Sequence, residues 1–170
     1  MFEADLLADA ERLVAYLHQA QLRLITAESC TGGHISALLA AVPNSGEVME
    51  GGLVVYSPDA KRQLLGVDDV WLQNFNLTSV EVAAAMAAAA LRYQPANAAL
   101  ATTGLLGTEA KDGIAPGTVC LAWGFRTPDG PALFTRMARF HGTPEQMRND
   151  TVRHALGALP EIHRLVCRLS

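Results

Sequence analysis

Hydrophobic positions along the chain switch between two spacings. Between Asp5 and Ala20, Leu6, Leu7, Ala10, Leu13, Val14 and Leu17 recur every three to four residues with acids early, which predicts an amphipathic helix. Residues 22–27 (LRLITA) then read as a short strand, and 32–42 return to helical spacing until Pro43-Asn44 stops them. The β-branched and aromatic run 51–57 (GGLVVYS) predicts a buried strand. Residues 58–67 predict a helix with Pro58 in its first turn and Gly66 at its end. Residues 78–93 give the clearest helix, capped by Thr78 or Ser79, with alanine faces suited to close packing. Three strands follow at 97–104, 117–125 and 132–140. A long helix over 143–169 closes the chain, opened by Thr143, Pro144 and Glu145, with Pro160 as a break or kink.

Helices and strands alternate early, so the pattern predicts an α/β fold with helices on both faces of one sheet. The last three strands are joined by shorter links, which makes part of that sheet antiparallel. In such sheets ligands sit beyond the strand C-termini. Three loops in that position carry unusual residues, at 28–33, 56–61 and 102–118.

Composition narrows the class. At 170 residues the chain fits a single domain spanning 1–170, and half its residues are hydrophobic with 18% charged, which excludes a disordered chain. A formal net charge of −4 gives no electrostatic reason to bind nucleic acid. No apolar run reaches the roughly 18 residues that span a bilayer, so no membrane segment is expected. The N-terminus is acidic and amphipathic, unlike a secretory signal. Cys30, Cys120 and Cys167 are odd in number and widely spaced, which fits a reducing, cytoplasmic setting rather than a disulfide framework or zinc site.

The first loop, Glu28-Ser29-Cys30-Thr31-Gly32-Gly33, puts two nucleophile types at a strand-to-helix turn. Its backbone N–H groups and the helix end suit a phosphate or oxyanion, and Thr31, Gly32 and Gly33 allow close approach. A plain N-cap with a relaxed turn explains the same residues. His34 lies one helical turn from Cys30, but no orienting carboxylate is evident and it reads as a packing or surface residue. Tyr56 ends a strand and Lys61 sits on the first turn of a helix. A lysine so placed and partly desolvated is a general-base candidate, and a surface lysine is the alternative. The third loop has four glycines, Pro116 and the leading Thr102-Thr103, a composition that cradles a ligand or makes a plain excursion. Arg148 and Arg153 fit either a phosphate or an exposed helical face.

Taken together, TAESCTGG (26–33), VVYSPDAKRQLLGV (54–67), the TTG…PGTV loop (102–119) and MRNDTVRHAL (147–156) resemble the CinA C-terminal domain family, whose stand-alone members act as nicotinamide-nucleotide amidases. The resemblance runs through nearly the whole chain. It implies a three-layer α/β/α sandwich with a mixed sheet, a homodimer or higher homo-oligomer, and no cofactor or metal. It also implies hydrolysis of the carboxamide of nicotinamide mononucleotide to nicotinate mononucleotide and ammonia. Ser29 would be the nucleophile, with Lys61 and Tyr56 moving protons. Thr31, Gly32, Gly33, Ser45, Thr103, Gly104, Gly107 and Arg148 would hold the small nucleotide substrate.

The sequence also departs from the family pattern. Pro58 stands where asparagine is usual. Asn44-Ser45-Gly46 replaces Gly-Ser-Ser, and Glu50-Gly51-Gly52 replaces Glu-Arg-Gly. Gly104-Leu105-Leu106-Gly107-Thr108 replaces Gly-Ile-Ala-Gly-Pro, and His141-Gly142-Thr143-Pro144 replaces Pro-Gly-Asp-Arg. Two outcomes follow: an active amidohydrolase, or a weak or silent paralogue that binds a nucleotide-like ligand or a protein partner.

Overall fold

The computed structural model of the protein describes residues 2–169. Its elements run α1 (Ala4–Gln19), β1 (Leu24–Glu28), α2 (His34–Ala40), β2 (Met49–Val54), α3 (Pro58–Gln63), α4 (Asp69–Asn74), α5 (Val80–Ala90), β3 (Ala98–Gly104), β4 (Thr118–Thr127), β5 (Gly130–Arg139) and α6 (Pro144–Leu169). The five strands form one mixed sheet in the order β2-β1-β3-β4-β5. β1 pairs in parallel with both β2 and β3, and the β3–β4 and β4–β5 pairs are antiparallel.

Right-handed crossovers decide the layers. The chain moves one way from β1 to β2 and the opposite way from β2 to β3, so the two connections lie on opposite faces. α2 accordingly joins α1 and α6 over one face, where Leu6, Leu13, Leu38, Trp123 and Leu156 pack together. α3 and α5 cover the other face, around Ile25, Val82, Met86 and Ala99. The result is a three-layer α/β/α sandwich. The alanines of α5 meet Ala99, Ala101 and Ala122 on the sheet, so helix and sheet approach closely. The buried Trp123 indole N–H donates to the Ala155 carbonyl at 3.0 Å, which satisfies its one polar atom.

Three expectations change. The run 51–57 is not a buried strand: β2 is Met49–Val54, an edge strand with Val54 48% exposed, and the chain leaves the sheet before Tyr56. An edge strand has a neighbouring strand on one side only, so β2 keeps solvent contact even though Met49 and Leu53 pack toward opposite layers, which the apolar run alone does not reveal. α4 was not expected. Asp68 caps it by accepting from the Val70 N–H at 3.0 Å, but the helix has no buried residue and hence no apolar stripe to read. Pro160 does not break α6, which runs through it. The start of α6 is a reciprocal capping box: the Gln146 N–H donates to Thr143 Oγ1 at 3.2 Å and the Thr143 N–H to Gln146 Oε1 at 2.8 Å.

Candidate active site

The three parallel strands deliver their C-terminal ends to one place. Ser29 directly follows β1, its N–H donating to the Thr102 carbonyl at 2.9 Å as if the β1–β3 ladder ran one step further. Beyond β2, Val55 still donates to the Glu28 carbonyl at 2.8 Å, then Ser57 caps α3 by accepting from the Ala60 N–H at 3.0 Å. Pro58 sits in the first turn of α3, where its missing N–H costs nothing. That short helix turns Lys61 inward, and its side chain is only 1% exposed.

Lys61 Nζ lies 2.9 Å from Ser29 Oγ, 2.9 Å from the Val55 carbonyl oxygen and 3.2 Å from the Tyr56 carbonyl oxygen. Burial pulls its pKa down to about 8. A neutral amine has two N–H bonds and one lone pair. With both N–H bonds given to the two carbonyls, the lone pair is left for the Ser29 hydroxyl proton. Cys30 stands one residue away but is unlike Ser29. Burial pushes its thiol up to about 12, so it stays protonated.

Glu28, which the sequence did not single out, organises the turn. It is fully buried and faces α2. One carboxylate oxygen accepts from Thr31 Oγ1 at 2.7 Å and the Ile35 N–H at 3.0 Å. The other accepts from the Ser36 N–H at 2.8 Å, from the Ser36 hydroxyl and, at 3.4 Å, from Thr26 Oγ1. Thr31 Oγ1 also contacts Thr102 Oγ1 at 2.8 Å. The start of α2 is thus occupied by the chain's own anion and is not open to a phosphate. Of the turn's remaining N–H groups, Gly32 donates to the Ser29 carbonyl and His34 to the Thr31 carbonyl. Those of Thr31 and Gly33 have no acceptor among the described residues. Gly33 adopts φ +90°, a backbone conformation that favours glycine, and a Cβ there would lie 3.0 Å from Val54 Cγ2, a contact that Val54 would have to ease.

Two chambers open on this turn. The inner one, about 150 Å³, is lined by Ser29, Lys61, Thr103, Asn76, Lys111 and Asp112 among others. Its roof is the α4–α5 link, held down where Thr103 donates to the Leu77 carbonyl at 2.7 Å and Asn76 Nδ2 to the Asp112 carbonyl at 3.2 Å. The outer one, about 540 Å³, is lined by Thr31, Gly32, Gly33, His34, Gly107 and Arg148 among others. Cys30, Tyr56, Gly104 and Leu105 line both. The Arg148 guanidinium has no hydrogen bond or ion pair to another described residue. Arg153, by contrast, is tied to Asp150, Asp9 and Glu3 on the protein surface. A more apolar cavity of about 400 Å³ between α4, α5 and β5, lined by Trp71, Ala85 and Leu133, shares no residue with either chamber.

A model of the CinA C-terminal domain matches residues 7–163. The chain belongs to the CinA C-terminal domain family. It is 37% identical over 154 residues to the nicotinamide-nucleotide amidohydrolase PncC of Pseudomonas putida, covering 90% of this chain and 94% of that protein. It is 40% identical over 134 residues to a CinA-like protein of Chlorobium luteolum, covering 78% of this chain but 31% of that longer protein. The crystal structure of a competence or damage-inducible protein from Enterobacter asburiae superposes with a TM-score of 0.85 at 35% identity, covering 92% of this chain and 97% of that one.

In this CinA C-terminal domain several residues fall elsewhere than the resemblance implied. Tyr56 lines both chambers, but it is 75% exposed, and what it gives Lys61 is its main-chain carbonyl. Ser45 lies in a 3-10 turn (Ser45–Glu47) and lines neither chamber. Gly51 and Pro144, which stand where the family pattern has arginine, also line neither. His34 packs edge-on against Phe2 at 5.3 Å between ring centroids, and its buried Nε2 has no partner among the described residues. It forms no pair with Cys30. Asn76, Lys111 and Asp112 were not found from sequence. Only their place in loops between periodic segments signalled them.

Proposed function

We propose that the protein is a serine amidohydrolase that cleaves the carboxamide of nicotinamide mononucleotide or a closely related nucleotide. The observation that carries this is the buried Ser29–Lys61 contact of 2.9 Å, with the lysine's two other contacts made to main-chain carbonyls. The substrate class follows the activity for which the Pseudomonas putida relative is named. It is also supported by a small inner chamber beside a larger outer one that carries Arg148, unpaired among the described residues; in this reading the amide-bearing ring lies inside and the phosphate toward Arg148.

Neutral Lys61 takes the Ser29 proton as Oγ attacks the amide carbon. The developing oxyanion draws on the unspent N–H groups of the Cys30–Gly33 turn. The C–N bond then breaks, the Lys61 ammonium returns its proton to the nitrogen, and ammonia leaves an acyl ester on Ser29. Water attacks that ester, Lys61 takes the water proton and passes it to Ser29 Oγ, and the carboxylate nucleotide departs. Tyr56 serves as a chamber wall rather than as the proton source, and its main-chain carbonyl accepts from Lys61.

Ammonia release from nicotinamide mononucleotide, followed with the wild type and Ser29→Ala, tests this. The wild type turns over and the variant does not. Gly51 and Pro144 at positions where the family pattern has arginine support a second reading, a binding member without turnover. That reading expects a measurable Kd for the nucleotide and no ammonia.

A further inference from the structure

We propose that Thr103 is the residue that distinguishes a carboxamide from a carboxylate in the inner chamber. The proposal rests on the amidase reading above. Thr103 is on β3, one position beyond Thr102, which pairs with Glu28 of β1. Side chains alternate across a strand, so Ser29 and Thr103 project from the same face of neighbouring parallel strands, on the opposite side from Glu28 and Thr102. Both line the inner chamber with Lys61. An amide lying against Ser29 Oγ therefore has Thr103 beside it.

The hydroxyl of Thr103 has one proton, and the structure fixes where it goes. Its contact at 2.7 Å is with the Leu77 carbonyl, which can only accept, so Thr103 must donate there. For hydrogen bonding, Thr103 then has only lone pairs left to offer the chamber. A carboxamide NH₂ donates into those lone pairs. A carboxylate oxygen in the same position meets them as acceptor against acceptor, with no proton available to either. The residue thus holds the nitrogen that is to leave and disfavours the acid once it has formed. Because Thr103 is only 2% exposed, water has little room to bridge the mismatch.

The test uses binding in a Ser29→Ala background, so that nothing turns over. Calorimetry gives the Kd of nicotinamide mononucleotide and of nicotinate mononucleotide, and the ratio of the two is the readout. Introducing Thr103→Val is expected to shift that ratio toward the carboxylate on the order of 10- to 100-fold, while Thr103→Ser keeps it. Thr103→Ala serves as the second variant should the valine perturb folding. A purely structural role, such as holding the Leu77 roof, weakens both ligands alike and leaves the ratio unchanged, which overturns the proposal while the amidase reading stands. Failure of the Ser29→Ala protein to bind either nucleotide overturns both.

Discussion

At the scale of single residues, the proposed chemistry depends on how three neighbours differ. Ser29 has a desolvated amine at 2.9 Å, Cys30 makes no hydrogen bond to that amine, and Glu28 points to the opposite face. Thiol alkylation at pH 8 followed by mass spectrometry should therefore modify the exposed Cys167. It should spare Cys30 and Cys120, whose thiols burial pushes up to about 12 and about 11. Glu28→Gln replaces a fully accepting carboxylate by an amide that sets N–H groups against N–H donors at the start of α2. The expected loss is on the order of 2–3 kcal/mol, read as a fall in Tm of roughly 4–12 °C. Ser29 and Lys61 were legible because a strand end followed by a glycine pair and a lysine in a capped first turn are local patterns. Glu28 was not, because nothing in its neighbours marks a strand-end carboxylate as the partner of a helix seven residues on. Tyr56 misled for a related reason: the apolar run continued two residues past the point where the strand stops.

At the scale of elements, periodic segments were readable and short, exposed ones were not. The alanines of α5 and the leucines of α1 announce buried faces, whereas α4 buries none of its residues and left no pattern. α6 shows how tertiary packing overrides propensity. Its amphipathic face, including Val152, Leu156, Leu159 and Ile162, carries the helix through Pro160. Replacing Pro160 by alanine restores a helical N–H and removes a steric cost, so Pro160→Ala should raise Tm by a few degrees with kcat/KM unchanged. Gly33→Ala should do the reverse. A residue forced to φ +90° against Val54 destabilises the turn by more than about 1 kcal/mol and lowers turnover with it, measurable by denaturant unfolding and ammonia release.

For the whole molecule, opposite crossovers from β1 and β2 leave a crevice at the ends of three parallel strands, and the cost of filling it is a buried lysine. The folded-state pKa of Lys61, about 8, lies below its ordinary 10.5. Between those values the unfolded chain binds the extra proton, so stability rises with pH across that window. Below about 8 the full penalty of burying a cation is present. Relative to Lys61→Met, the wild type should gain on the order of 3 kcal/mol between pH 8 and 10.5, seen by comparing denaturation midpoints. The layers and strand directions were legible because chirality and alternation constrain them strongly. The contact between residues 29 and 61 was not, since it depends on where an edge strand lets the chain go.

In the proposed mechanism the same titration governs catalysis. If neutral Lys61 is the base for Ser29, kcat/KM for ammonia release from nicotinamide mononucleotide must follow the deprotonated amine, which is roughly a tenth of the protein at pH 7. Measured from pH 6 to 10 against a Ser29→Ala baseline, the rate should rise about tenfold per unit at first and level off with a midpoint near 8. A rate that is flat across that range, or that survives in Ser29→Ala, would contradict the account.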